Sequence, residues 1–179
     1  MILAGVQDPG NVGTMIRAAE AFGATGAATC AADGIGTANP FAPKSMRASA
    51  GSALRLPIAN GLLPATLFGE LRKARVKIYA AVAPQSNTHE NPKNKISENT
   101  GSLTLPWEVD WKGAAAILIG NEGAGLPGDL VAAADARVYI PQAEATAKVG
   151  IESLNAAMAA SVLLYEAMRQ RNSALRDQL

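Results

Sequence analysis

"AAAILIGNEGAGLPG", residues 114–128, decides the fold. Its first half is a near-continuous apolar run, far shorter than a membrane span and of the kind found in a strand covered on both faces. It ends at a cluster of glycines and polar residues, so the strand gives way to an open turn. Strands of this type belong to parallel sheets flanked by helices.

The rest of the chain supplies matching pieces. "MILAGV" (1–6) reads as a short buried strand, and "NVGTMIRAAEAFG" (11–23) as a helix with Val12, Met15, Ile16, Ala19 and Phe22 near helical spacing. "ATGAATC" (24–30) is a second strand, and "NPFAPKSMRASAGSALRLPI" (39–58) combines loop signals with a short helix around Lys44 to Ala50. Leu63, Leu67 and Leu71 recur every fourth residue in "LLPATLFGELRKA" (62–74), marking an amphipathic helix. "VKIYAAVA" (76–83) and "ARVYIP" (136–141) are strands, "DLVAAA" (129–134) a short helix and "ESLNAAMAASVLLYEAMRQR" (152–171) a long one. This alternation predicts an α/β fold, a mostly parallel sheet with helices on both faces, in a single domain over 1–179.

Composition narrows the chemistry. Sixteen basic and fifteen acidic residues leave a net charge of +1, so any RNA surface must be built by local clustering or by a second subunit. Cys30 is the only cysteine, which excludes an internal disulfide and a cysteine-based zinc site and fits a reducing compartment. His89 is the only histidine and lies in the polar stretch Pro84 to Ser102, read as a loop, which disfavours triad hydrolysis or a histidine metal site. No membrane span or signal peptide is evident, so the expected location is cytoplasmic.

Three polar, glycine-rich turns follow strands: "QDPGNVG" (7–13), "GNEGAGLPG" (120–128) and "IPQAEATAKVGIESLN" (140–155). Ligands of open parallel sheets bind beyond the carboxyl ends of strands, at a switch in strand order, so these turns form the candidate site. In the first, Pro9 and Gly10 favour a turn and Asn11 suits a helix cap. That leaves Arg17 unexplained, a lone charge among small residues whose planar fork suits a phosphate or carboxylate. In the second turn, Gly120, Gly123 and Gly125 suggest a nucleotide loop but lack both the dinucleotide glycine order and a Walker lysine. Glu122 has two readings, a cap for the following helix or a member of the site. Ser153 and Asn155 open the last helix, where caps are common. Along that helix Leu154, Met158, Val162, Tyr165 and Met168 form one stripe and Ala156, Ala159 and Ala160 another flank, so the helix is buried or forms a subunit interface.

Taken together, "DPGNVGTMIRAAEAFGA" (8–24), "FAPKSMRASAGSALRLPI" (41–58), "LIGNEGAGLP" (118–127) and "IPQ…ESLNAAMAASVLLYE" (140–166) resemble, in order, the motifs of the SpoU (TrmH-like) family of RNA ribose 2′-O-methyltransferases, in the SPOUT superfamily. The resemblance implies S-adenosylmethionine as methyl donor, ribosomal or transfer RNA as acceptor, a homodimer, no metal, and a deep C-terminal trefoil knot that general topology rules would reject. By motif position it places Leu118, Gly120, Ile140 and Leu154 around the cofactor, and Asn11, Arg17, Glu122, Ser153 and Asn155 in the catalytic group.

Two departures from the family pattern stand out. Many members carry an N-terminal RNA-recognition domain, expected to be absent or removed here, and the link "QAEATAKVGI" (142–151) is longer than the family's short one. A non-catalytic RNA-binding paralogue, with cofactor binding lost through that link, is the alternative. Lys93 and Lys95 in the polar stretch are either RNA contacts or part of a solvated loop.

Overall fold

The computed structural model describes residues 1–83, 103–143 and 153–176. The polar stretch with His89, Lys93 and Lys95, and most of the link before Ser153, lie outside the described residues.

Among the described residues, seven strands form one sheet: β1 (Ile2–Ala4), β2 (Ala27–Cys30), β3 (Ile58–Leu62), β4 (Lys77–Ala81), β5 (Leu103–Thr104), β6 (Ala115–Ile119) and β7 (Ala136–Val138). Their order is β3-β2-β1-β6-β4-β7-β5 and every pairing is parallel. Among the described residues, six helices connect or follow them: α1 (Pro9–Ala21), α2 (Pro43–Ala48), α3 (Ser52–Arg55), α4 (Pro64–Lys73), α5 (Gly128–Ala133) and α6 (Ala156–Arg176).

Strand alternation divides the core into two layers. Leu3, Ile117 and Ile119 join Val12, Met15, Ile16, Ala53, Leu56, Leu163 and Leu164, so α1, α3 and α6 cover one face. Ile2, Ala4, Ile78, Ala116 and Leu118 face the other way, against Leu67 and Phe68 of α4 and Leu130 and Val131 of α5. The expected helices on both faces are therefore present. Among the described residues, no helix is long and apolar enough to cross a membrane.

The first helix begins earlier than the sequence suggests. Asp8, not Asn11, is its cap: the Asp8 carboxylate accepts from Gly10 N at 3.1 Å and Asn11 N at 3.3 Å. Proline at the first helical position starts the helix there, and Asn11 falls in its first turn with its side chain free to reach elsewhere. Lys44 Nζ lies 2.8 Å from Asp8 Oδ1, tying the starts of α1 and α2 together. Asp8→Ala should lower unfolding free energy by about 1 kcal/mol, the usual cost of a lost cap, with an unchanged slope in urea denaturation.

Helices α1 and α2 pack without room for a side chain at Gly13. A Cβ there would run into the Ser45 carbonyl and come within 2.6 Å of the Ala48 Cβ and 2.9 Å of Ser49 N. Arg17 lies one turn farther along the same side of α1.

Candidate active site at the β1/β6 switch point

From β1 the chain winds outward to β2 and β3, and later returns to build the other half of the sheet, with β6 beside β1. This is the point where strand order reverses, and the first two polar turns leave its two strands. The second turn folds back on itself: Asn121 and Gly125 exchange backbone hydrogen bonds of 3.0 Å in both directions. Gly125 has φ +71°, which a side chain disfavours, while Gly120 is needed for close approach, since a Cβ there would lie 2.5 Å from the Gly125 carbonyl carbon.

Two side chains of this turn clasp the neighbouring one. Asn121 Nδ2 donates to Gly5 O at 3.0 Å, and Asn121 Oδ1 accepts from Gly123 N at 2.9 Å and Ala124 N at 3.0 Å. The amides that a phosphate-cradling loop would offer are thereby used, which accounts for the poor nucleotide-loop match. Glu122 reaches across to accept from Asn11 Nδ2 at 3.0 Å, Asp8 N at 3.3 Å and Gln7 N at 3.4 Å. Helix α5 starts after Pro127 without a side-chain cap, so capping is not Glu122's role.

Asn11 is the centre of the network. Its Oδ1 accepts from Asn155 Nδ2 at 3.3 Å, while Asn155 Oδ1 accepts from Ala157 N at 2.8 Å and Met158 N at 3.3 Å. Asn155 is thus both a cap for α6 and a bridge to the site, and the third polar turn meets the other two.

Burial pushes the Glu122 carboxyl up, but hydrogen bonds from the Asn11 side chain and the backbone N–H groups of Glu122, Asp8 and Gln7 outweigh it and hold the group below the ordinary carboxylate range. A carboxylate so supplied with donors is a poor proton acceptor at neutral pH and a good anchor. Its contribution to stability is complete above the ordinary value of 4.5 and is lost as pH falls through the lower folded value. Glu122→Gln should therefore flatten the acid side of the stability profile, read as the urea midpoint from about pH 5 downward.

The other expected site residues are placed differently. Arg17 is exposed and makes no hydrogen bond or ion pair with a described residue; it stands about 9 Å along α1 and about 120° around it from Asn11. Ser153 is exposed and outside the network. Gly120 directly follows β6, Ile140 is half-buried just beyond β7, and Leu154 is exposed ahead of α6, next to Asn155. Leu118, one residue before the end of β6, is 0% exposed and paired to Ile2 and Ala80 on its two sides, so its side chain packs in the core beneath the strand end. Asn121 and Asp8 escaped the sequence reading as site residues. Their signal was present, since Asn and Asp in tight turns bond nearby backbone.

The fold and this network define a doubly wound α/β protein with a polar side-chain network at the β1/β6 junction. The chain belongs to the SpoU rRNA Methylase family, which it matches over residues 1–165. It is 32% identical over 168 residues to the 23S rRNA (guanosine(2553)-2'-O)-methyltransferase RlmP of Bacillus subtilis, covering 92% of this chain and 56% of that protein. Among solved structures it is similar to the SpoU methyltransferase AviRb from Streptomyces viridochromogenes in complex with AdoMet, with TM-score 0.76, 30% identity, and 96% of this chain and 60% of that one covered. The AdoMet-bound rRNA methyltransferase from Sinorhizobium meliloti is 33% identical, with TM-score 0.69, covering 94% of this chain and 54% of that one. The chain spans about half the length of the curated relatives it matches.

Proposed function

We propose that this protein transfers a methyl group from S-adenosylmethionine to a ribose 2′-hydroxyl of ribosomal or transfer RNA. The observation that carries the reading is the convergence of Asn11, Glu122 and Asn155, one from each polar turn, at the switch point of a family fold. The 2′-O-methyltransferase names of relatives and AdoMet in two similar structures support the chemistry.

The residues present suit this cofactor better than a nucleoside phosphate. The Gly123 and Ala124 amides are taken by Asn121, so no anion cradle remains in that turn, whereas Ile140 and Leu154 offer apolar surface to an adenosine. When bound, S-adenosylmethionine supplies an electrophilic methyl group on a sulfonium. Gly120, Ile140 and Leu154 border its binding place, and Leu118 backs the strand beneath. Arg17, always charged, binds an RNA phosphate and orients the attacking hydroxyl. Asn11, Glu122 and Asn155 hold the walls of the site in register, and Ser153, exposed two residues before Asn155, contributes a hydroxyl for substrate contact. Glu122, held ionised by its donors, leaves deprotonation of the hydroxyl to another group.

Residues 1–179 act as one catalytic domain, the C-terminal segment forms the trefoil knot, and the protein works in the cytoplasm as a homodimer. Support for the dimer comes from α6, whose alanine and leucine face is buried while Met158, Val162 and Tyr165 are 61%, 42% and 51% exposed. Phe22 extends this stripe, its ring 5.9 Å from that of Tyr165 in an edge-on arrangement. Val162→Glu should weaken dimerisation on the order of 100-fold in sedimentation equilibrium while the monomer stays folded, because a desolvated charge at an apolar interface is costly.

Calorimetry with S-adenosylmethionine, followed by mapping of 2′-O-methyl sites in cellular RNA with and without the gene, tests the function. Saturable binding and a lost methyl mark are expected. RNA binding without cofactor binding would favour the non-catalytic paralogue.

A further inference from the structure

Phe41 is an exposed aromatic ring on a rigid mount. Its side chain is 46% exposed, while its turn, Asn39 to Ala42, is closed by Ala42 N donating to Asn39 O at 3.1 Å. Phe41 N donates to Asn39 Oδ1 at 2.9 Å, Ser45 Oγ donates to Asn39 O at 2.8 Å, and Pro40 between them is buried. A ring held this way loses little conformational freedom when something stacks on it.

Its surroundings are polar and cationic. Asn39, Pro43, Lys44 and Arg47 are all exposed, and Lys44 and Arg47 share one face of α2. Arg47, like Arg17 on the adjoining helix, makes no hydrogen bond or ion pair with a described residue. The place is also close to the candidate site: Lys44 Nζ is 2.8 Å from Asp8 Oδ1, and Asp8 N is 3.3 Å from Glu122 Oε1.

We propose that Phe41 is a stacking platform for an unpaired RNA base near the methylated nucleotide, with Arg47 binding the backbone phosphate beside it. An exposed ring beside an exposed cation is the combination that holds single-stranded nucleic acid, because every base has a π-face and every linkage a charge. This rests on the RNA methyltransferase reading and deepens it by naming the substrate as single-stranded or looped RNA at this point. The short tie through Asp8 keeps the platform in fixed relation to Asn11 and Glu122, so it sets which nucleotide reaches the site.

The test measures binding of a single-stranded oligoadenylate of about 12 nucleotides, comparable to the ssRNA site sizes of small folds, across a salt series. Phe41→Leu should weaken binding about 10-fold while leaving the salt slope, S-adenosylmethionine affinity and melting temperature unchanged, and Phe41→Tyr should restore it. Arg47→Gln should instead lower the salt slope by about one. Wild-type binding that Phe41→Leu leaves intact overturns the platform but not the enzyme. A wild-type protein with neither RNA affinity nor methyl transfer overturns both. Phe41→Leu that alters the dimer while preserving RNA affinity assigns the ring to a protein contact and overturns the proposal.

Discussion

Arg17→Ala should leave the protein folded and able to bind S-adenosylmethionine, yet reduce methyl transfer to RNA by at least about 100-fold. The stability half follows from its position: the side chain is exposed and bonded to no described residue, so its removal leaves no buried partner unpaired. The activity half follows from chemistry, because an in-line transfer depends on placement and a guanidinium fork fixes a phosphate in two directions. Arg17→Lys keeps the charge but loses the fork, and should recover only part of the rate. Single-turnover assays with saturating RNA, paired with calorimetry for the cofactor and thermal unfolding, separate these effects. Retained turnover in Arg17→Ala would remove Arg17 from the mechanism.

Gly120→Ala should be the most damaging conservative substitution in the site. The added Cβ would lie 2.5 Å from both the carbonyl carbon and oxygen of Gly125 and 2.6 Å from Leu126 N, all backbone atoms. Relief requires the Asn121–Gly125 turn to open, which withdraws Asn121 from Gly5 and Glu122 from Asn11 together. A loss of about 3 kcal/mol in urea denaturation is expected, with cofactor binding lost as well. Gly123→Ala is the matched control: its nearest neighbour would be Asn121 Oδ1 at 3.7 Å, an ordinary contact, so stability should change by less than about 0.5 kcal/mol. Similar losses for the two variants would contradict the close-approach explanation.

The parallel sheet was legible because "AAILI" and "KIYAA" carry apolar side chains to both faces, and a strand buried on both sides announces itself. Strand β3 was not, because Ala59, Asn60 and Gly61 are exposed on the sheet's edge and Asn and Gly are poor strand formers. Its pairing is reinforced by a tertiary contact, Thr29 Oγ1 donating to Asn60 Oδ1 at 2.6 Å while accepting from Gly61 N at 2.8 Å. β5 and α3, two and four residues long, hold too few residues to show a period. In the site, the residue types of Asn11, Glu122 and Asn155 were readable from their turns, but their meeting depends on β6 inserting beside β1.

The central asparagine also sets a timetable for the chain. Its two partners lie 111 and 144 residues downstream, so neither bond can form until synthesis has passed Glu122 and Asn155. Contacts of such separation carry a high closure cost and form late in folding. A nascent chain stalled before residue 155 would hold α1 and its cap but not the completed network.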